Sequence, residues 1–324
     1  MAHNTTKQHR WTRIAASALL GCALTLGACS GEKKPAAEPG AKKAAAAATN
    51  DKAAPKADKA NDKERGEPGA AKRLTSGDEV VYEKNGVKIT MADLERFAMA
   101  IRTFQPPYEK GVALEARELY KQAQAAGNSR KYDKALKLFI DSSLAARHWP
   151  APVYGAGWSY IMQGDLEKAI DAYKQADRLA PRGYKNTKLA IDTLQREIDG
   201  KLPPATYMRF ELLMANTPPD KRREKLDKML KEAPEFPGGW RVLSTMQDND
   251  EEAMKLIELA MSYKPDPETM GHLMVNKAIL LDRVGQKKEA MDILGALATN
   301  PELPFTSEYM AKLTMLRFVA EGGG

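Results

Sequence analysis

The sequence feature that most constrains the fold of this chain is a pattern with a period of about 34 residues. In the unit that begins at Pro150, small residues stand at Gly157 and Ala169, and tyrosines stand at Tyr160 and Tyr173. Small residues let two antiparallel helices approach closely, whereas the tyrosines can fill the space between adjacent units. A unit of this kind cannot bury its apolar face alone, so the pattern predicts stacked helix pairs.

The pattern predicts five helix pairs, followed by a helix that closes the stack. The pairs are expected at residues 116–149, 150–183, 203–236, 237–267 and 271–304, with an extra helix at 184–200 and a final helix near 306–320. The final helix would cover the open end of the stack, as the terminal elements of repeat proteins do. The expected fold class is therefore all-α.

The unit at 150–183 resembles the tetratricopeptide repeat (TPR), with Gly157, Tyr160, Ala169, Tyr173 and Pro181 in matching places. The resemblance implies a right-handed superhelix of α-helix pairs, a solenoid in which the first helix of each pair lines a protein-binding groove. Carried onto this chain, the groove positions are Tyr120, Gln124, Tyr154, Trp158, Ile161, Met162, His272, Ile279 and Arg283. The alternative is that Tyr154 and Trp158 are core residues, because large apolar side chains are more often buried.

Residues 1–28 have the features of a secretory signal peptide. Lys7, Arg10 and Arg13 precede an apolar run from Ile14 to Ala28, which is shorter than the roughly 20 residues that a membrane-spanning helix needs. The run ends in LGACS, residues 26–30, which resembles the lipobox of bacterial lipoproteins. The resemblance implies that Cys29 is acylated and becomes the first residue of the mature chain.

The lipid on Cys29 would anchor the protein to a membrane rather than span it. Cys22 is a second, poorer candidate for the modified cysteine, because the bulky Leu20 stands near it. By analogy with the same class of lipoproteins, Ser30 after the anchor favours the outer membrane, with the protein facing the periplasm. We therefore expect residues 29–76 to hold the lipid anchor and a tether. The tether has no aromatic or large aliphatic residue before Leu74, so it is predicted to be disordered.

Residues 77–110 predict a hairpin and a capping helix ahead of the repeat domain at 111–324. Asn85-Gly86 stands between two β-prone runs, 79–84 and 87–89, which is a strong signal for a two-residue β-hairpin. Thr90 then begins a helix that should end before Pro106. The segment NGVKIT, residues 85–90, also resembles the opening of parvulin-type periplasmic chaperones.

The composition argues against several classes of function. A formal net charge of +7 is mild for this length, and no basic stripe with interleaved aromatics suggests nucleic acid. Cys22 and Cys29 are the only cysteines, and His148 and His272 are the only histidines after the leader, which leaves little for metal sites or nucleophile–histidine pairs. Carboxylates such as Glu118, Asp171 and Glu252 are expected on solvated helix faces. We therefore expect no cofactor, metal or catalytic residue.

The sequence thus predicts a non-catalytic, membrane-anchored lipoprotein whose TPR repeats mediate protein–protein interaction. In layout it is similar to the pilotins and assembly accessories that scaffold or help to assemble a cell-envelope complex. The alternative is a periplasmic chaperone-like holdase for unfolded clients. A cell-wall glycan hydrolase or lyase is a less favoured third hypothesis, and the partner is expected to be an envelope protein whose identity the residues do not specify.

Overall fold

The computed structural model describes residues 79–102, 106–180 and 182–322. The predicted signal peptide, Cys29 and the predicted tether up to residue 76 lie outside the described residues. Thirteen α-helices, a turn of 3-10 helix at Pro107–Glu109 and one two-stranded sheet make up the described part of the chain. Within it, no helix combines the length and the apolar character that crossing a membrane requires.

The predicted hairpin is present. Strands β1 (Val80–Lys84) and β2 (Val87–Thr90) pair antiparallel, with Tyr82 opposite Ile89. Asn85 and Gly86 both have positive φ angles, 52° and 77°, as the favoured two-residue hairpin turn requires. Helix α1 (Met91–Arg102) follows directly, because the Thr90 hydroxyl accepts from the Asp93 N–H at 3.2 Å and the Asp93 carboxylate accepts from the Thr90 N–H at 2.9 Å.

The predicted five helix pairs are confirmed. They are α2 (Leu114–Asn128) with α3 (Tyr132–Ala145), α4 (Pro150–Gln163) with α5 (Leu166–Leu179), α7 (Thr206–Asn216) with α8 (Pro219–Glu232), α9 (Pro237–Ser244) with α10 (Asp250–Ser262), and α11 (Pro267–Arg283) with α12 (Lys287–Thr299). The extra helix is α6 (Thr187–Ile198), and the final helix is α13 (Phe305–Gly322). The described part of the chain is therefore all-α apart from the hairpin.

Close packing within a pair follows from its small residues. Tyr173 is fully buried, and a Cβ atom at position 157 would lie 2.9 Å from its ring, so only glycine fits there. Ala169 and Ala176 are also fully buried on α5. The small residues at 157 and 169 thus have the role that the sequence pattern gave them, which is to let α4 and α5 approach each other.

Prolines and capping side chains set the helix boundaries. Pro150, Pro219, Pro237 and Pro267 each occupy the first turn of a helix, where the missing N–H costs no hydrogen bond. The predicted unit 271–304 begins too late, because Asp266 caps α11 by accepting from the N–H groups of two following residues. The first helix of that pair therefore starts at 267.

The N-terminal hairpin and α1 pack on the last helices of the chain, an arrangement the sequence left open. Tyr82, Ile89 and Leu94 share one apolar cluster with residues of α12 and α13, among them Leu294 and Met315. The Lys84 ammonium lies 3.1 Å from the Asp292 carboxylate, and the Phe97 ring lies 6.4 Å from Phe305 and 6.2 Å from Tyr309. The capping elements thus cover the final helix pair.

Gly295 of α12 provides a test of this packing, because the Tyr82 ring lies where a Cβ atom would stand. We expect Gly295→Ala to lower the free energy of unfolding by roughly 1–3 kcal/mol, as overpacking does. The matched control is Gly127→Ala on α2, whose new Cβ would meet only the Ala135 methyl at 3.9 Å and should stabilise the helix. Melting temperatures measured by circular dichroism compare the two, and equal values would contradict the docking of Tyr82.

Candidate functional site

The predicted groove residues all lie on the first helix of a pair. Tyr120 and Gln124 are on α2, four residues lie on α4, and three lie on α11. Their exposure differs: Tyr154 is 8% exposed and Ile161 is 5% exposed, so both are core residues. The other seven have solvent-accessible surface, and they are Tyr120, Gln124, Trp158, Met162, His272, Ile279 and Arg283.

Tyr154 is held inside the protein by other aromatic rings. Its ring centroid lies 5.2 Å from Tyr173 and 5.5 Å from Tyr184, both edge-on, and the Lys185 ammonium lies 5.0 Å above its face. Edge-to-face pairs of this kind add to the energy of simple burial. Of the two aromatics expected side by side in the groove, only the half-buried Trp158 keeps accessible surface, and it packs against the same apolar core.

The remaining groove candidates belong to different parts of the structure. The Gln124 amide donates to the Tyr120 hydroxyl at 3.2 Å, and the Tyr120 ring lies 5.0 Å from Trp149. Ile279 packs against the apolar cluster of the last helices, and the exposed Arg283 pairs with Asp250 at 2.7 Å. Whether these residues contact one partner together stays a prediction.

The structure brings together a group of polar residues that the sequence did not single out. We call it the tyrosine–carboxylate cluster, and it consists of Tyr154, Tyr173, Tyr207, Glu211, Arg241, Asp266 and Glu268. Four successive first helices, α4, α7, α9 and α11, contribute to it, together with α5 and the capping residue of α11. The rings of Tyr173 and Tyr207 meet edge-on with their centroids 6.3 Å apart.

No obvious pattern in the sequence predicts the burial of Glu211 and Glu268. Glu118, Asp171 and Glu252 are exposed, in line with the expectation for helix carboxylates, whereas Glu211 is 9% and Glu268 is 6% exposed. A charged residue is almost never fully buried unless it is paired, so exposure was the reasonable expectation for both. The one available hint is that Glu268 follows the helix-capping Asp266, within a first helix that faces other first helices.

Several polar atoms of the cluster have no hydrogen-bond partner. Eight buried side-chain polar atoms among the described residues lack one, and three of these are on charged side chains of the cluster. They are Arg241 Nε, Asp266 Oδ2 and Glu268 Oε2, whereas the Tyr207 hydroxyl faces the hydroxyls of Tyr154 and Tyr173. Leaving such an atom unpaired costs about 1–3 kcal/mol, and each case needs an explanation such as a bound water, an ion or a ligand.

The carboxyl groups of the cluster accept few hydrogen bonds. Glu211 Oε1 accepts from the Asn186 amide at 3.2 Å. Asp266 Oδ1 accepts from the N–H groups of Glu268 and Thr269 at 2.9 and 3.0 Å. His272 Nδ1 donates to the backbone carbonyl of Glu268 at 2.7 Å. Asp266 Oδ2 and Glu268 Oε2 have no hydrogen-bond partner within the described part of the chain, and the hydrogen bonds of Glu268 to Asp266 and His272 involve only its backbone.

Burial shifts the pKa values of the cluster away from their ordinary ranges. Burial, helped by the negative charge of Asp266, raises the pKa of Glu268 to about 8. Burial also raises the pKa of Glu211 and of the three tyrosines. Burial and the nearby Arg241 cation lower the pKa of His272 to about 3. At neutral pH, Glu268 is therefore mostly protonated and His272 is neutral.

The tyrosine–carboxylate cluster can form hydrogen bonds to a ligand, but it is poorly suited to a metal ion. Within the ranges 79–102, 106–180 and 182–322, no three or more His, Cys, Asp or Glu side chains are grouped so that they could hold a metal ion. The cluster instead offers both hydrogen-bond donors and acceptors to a ligand, since tyrosine hydroxyls can act as either and the second carboxylate oxygens can accept.

The pKa values of Glu268 and His272 predict how stability depends on pH. The pKa of Glu268 is raised from 4.5 to about 8, so its stabilising contribution is complete below pH 4.5 and is lost as the pH rises through 8. The pKa of His272 is lowered from 6.5 to about 3, so its contribution is complete above pH 6.5 and is lost as the pH falls towards 3. Between pH 4.5 and 6.5, the two residues therefore change the free energy of unfolding in opposite directions as the pH rises.

Above pH 6.5, Glu268 is the only one of these two residues whose contribution to the free energy of unfolding still changes with pH. The free energy of unfolding should therefore fall between pH 6.5 and 8 by up to about 1.4 kcal/mol per pH unit. Urea unfolding at both pH values measures this fall. Glu268→Gln should abolish it, because glutamine imitates the protonated acid, whereas the exposed control Glu302→Gln should keep it. Parallel profiles for wild type and Glu268→Gln would contradict the burial of an unpaired carboxyl.

Comparison with known proteins shows no family for this chain. No protein-family model matches the chain, and a comparison with curated proteins finds no match. Among solved structures, a double mutant of MamA is 14% identical over 63% of this chain and 98% of its own, with a TM-score of 0.29. YrrB, a TPR protein with an unusual peptide-binding site, is 14% identical over 71% of this chain and 99% of its own, with a TM-score of 0.28. A thermophilic TPR protein of Thermus thermophilus is 14% identical over 62% of this chain and 99% of its own, with a TM-score of 0.27. At these TM-scores the three structures add nothing to the helix-pair geometry described above.

Proposed function

We propose that this chain is a non-catalytic bacterial lipoprotein whose helical repeats bind a protein of the cell envelope. The lipid on Cys29 anchors the protein to a membrane. Ser30 after the anchor favours the outer membrane, with the protein facing the periplasm. The repeats scaffold or assist the assembly of an envelope complex, in the manner of a pilotin or an assembly accessory. The observation that carries the binding role is the row of first helices that contribute unpaired polar atoms and half-buried side chains.

The polar atoms support binding because their present environment is unfavourable. A buried donor or acceptor without a partner loses the hydrogen bonds that water would give, so a ligand that supplies them gains affinity at little further desolvation cost. Four first helices contribute to the tyrosine–carboxylate cluster. An extended surface made from several repeats is the way in which stacked helix pairs bind other proteins.

Trp158 supports the same role from α4. It is half-buried, and it lies on the helix that also carries Tyr154. A large aromatic side chain that is packed on one side and accessible on the other is typical of the residues that dominate binding energy. Trp158 is therefore the residue of the predicted groove that we expect to contribute most to partner affinity.

The non-catalytic part of the proposal rests on the burial of the carboxyls. Shifted pKa values are also typical of active sites, and Glu268 holds a proton at neutral pH as a general acid would. A glycan strand, however, has to pass between two accessible carboxyls, whereas Glu211 and Glu268 are both buried among helices. Binding of a single side chain of a partner suits such a place better than hydrolysis of a polymer.

The experiment that tests the proposal is affinity capture from detergent-solubilised envelopes with the tagged full-length protein. We expect one dominant protein partner, and we expect Trp158→Ala to weaken its binding by about 2 kcal/mol or roughly 30-fold, the loss typical of a hot spot. The matched control is Tyr132→Ala, which removes a half-buried aromatic from the second helix of a pair and should leave capture unchanged. Equal melting temperatures of the variants would separate binding from folding.

The same preparation tests the anchor through its two cysteines. Cys29→Ser should move the protein from the membrane fraction to the soluble fraction, while Cys22→Ser should leave it in the membrane fraction. The soluble Cys29→Ser protein should still capture the partner, because the repeats do not contain the lipid. Capture of many unrelated unfolded proteins would support the holdase instead, and membrane retention of Cys29→Ser would contradict the lipid anchor.

A further inference from the structure

A groove of about 440 Å³ opens between the second helices of the first two pairs. Its walls are α3 and α5, and its floor is formed by α4, where Val153 and Ala156 are buried. Phe139 of α3 packs so closely on α4 that a Cβ atom at Gly155 would lie 2.5 Å from its ring. We call this the second-helix groove, and it contains none of the residues that the repeat pattern assigned to the groove of the first helices.

The α3 wall of the second-helix groove is apolar and open to solvent. Ile140 lines the groove and is 48% exposed, and Leu144 is 60% exposed. Because the two are four residues apart, they lie on the same face of the helix. Single exposed apolar residues are common, but two neighbours beside a groove form the kind of patch that binds another protein.

The α5 wall is polar, and two of its charges have no ion partner. Asp171 and Arg178 both line the groove, and neither forms an ion pair with another described residue. The third charged residue of this wall is Lys168, whose ammonium lies 2.5 Å from the Asp165 carboxylate. The groove therefore offers a negative and a positive group seven residues apart on one helix, which is roughly 10 Å along its axis.

The spacing of these two charges favours a helix as the bound element. In a helix, residues seven apart lie on one face and about 10 Å from each other. A strand covers about 10 Å in three residues, and its side chains alternate, so the two complementary charges would point to opposite faces. An amphipathic helix also presents the continuous apolar stripe that suits a wall made by Ile140 and Leu144.

We propose that the second-helix groove binds an amphipathic helix of a partner protein. The apolar stripe of that helix packs on Ile140 and Leu144, while a basic and an acidic residue seven apart pair with Asp171 and Arg178. The complementary charges determine which helices fit and how they are oriented, and the apolar contacts supply most of the affinity. This second surface goes beyond the proposed function, which depends on the first helices alone.

The probe for this groove is a synthetic helical peptide of about 18 residues, with a leucine stripe and with a lysine and a glutamate seven positions apart beside it. The control peptide has glutamine in place of both charges. Fluorescence anisotropy with the full-length Cys29→Ser chain avoids detergent, which would compete for an apolar groove. We expect the charged peptide to bind with a dissociation constant below about 100 µM. It should bind about threefold or more tightly than the control peptide, as expected of two exposed ion pairs.

Substitution of the apolar wall tests where the peptide binds. Ile140→Gln with Leu144→Gln should weaken binding of the charged peptide at least roughly tenfold, because the leucine stripe loses its apolar contacts. The matched control is Ile198→Gln with Leu212→Gln, which changes exposed aliphatic residues of α6 and α7 and should leave binding unchanged. All four side chains are exposed, so the fold should tolerate their replacement.

Neutralising the polar wall tests the charge pattern. Asp171→Asn with Arg178→Gln should remove the preference for the charged peptide. The matched control is Glu167→Gln with Lys174→Gln, which neutralises an exposed acidic and an exposed basic residue of α5 that have the same spacing but do not line the groove. This control should keep the preference.

Three results would overturn the proposal: no binding of the charged peptide at about 1 mM, equal binding of both peptides, or unchanged binding by the Ile140→Gln, Leu144→Gln protein. Self-association of the chain that this variant abolishes would show a second copy in the groove, and it too would overturn the proposal. The outcome is separable from that of envelope capture, because Trp158→Ala should leave peptide binding unchanged. Peptide binding without any captured partner would support the second-helix groove and refute the assembly role.

Discussion

The close packing of tyrosine rings on glycines is the interaction on which the rest of the structure depends. Tyr173 covers Gly157 and so joins the two helices of the second pair, and Tyr82 covers Gly295 and so joins the hairpin to the last pair. Each contact requires glycine on one side and a large ring on the other. The helix pairs and their cap are therefore specified by the same kind of contact, used locally in one case and over a long sequence separation in the other.

This mode of packing has a cost that leads to the candidate site. Tyrosine rings that fill the space between helices carry their hydroxyls into the interior, where the Tyr207 hydroxyl faces those of Tyr154 and Tyr173. Glu268 and Asp266 bring free carboxylate oxygens to the same region, and burial raises the pKa of Glu268 to about 8. A protein optimised only for stability would place apolar side chains at these positions.

Much of the fold followed from local sequence signals, and the parts that did not have physical reasons. Helix pairs were predictable because small residues, prolines and capping side chains act within a few residues of each other, as at Gly157 and Pro219. The docking of Tyr82 on α12 was not, because no local pattern records a contact between positions so far apart. The burial of Glu268 was missed because a carboxyl on a helix is normally solvated, and Tyr154 proved to be core because its ring meets two other tyrosines.

The central claim is that Glu268 at the start of α11 is buried and that burial, despite the nearby Arg241, keeps its carboxyl protonated at neutral pH. The most direct measurement is a carbon-13 NMR titration of the Glu268 side-chain carboxyl, assigned by comparison with Glu268→Gln. The account predicts a titration near pH 8 in the free protein. A titration near the ordinary value of 4.5 in the free protein would mean that Glu268 is solvated or already paired, and it would contradict the account.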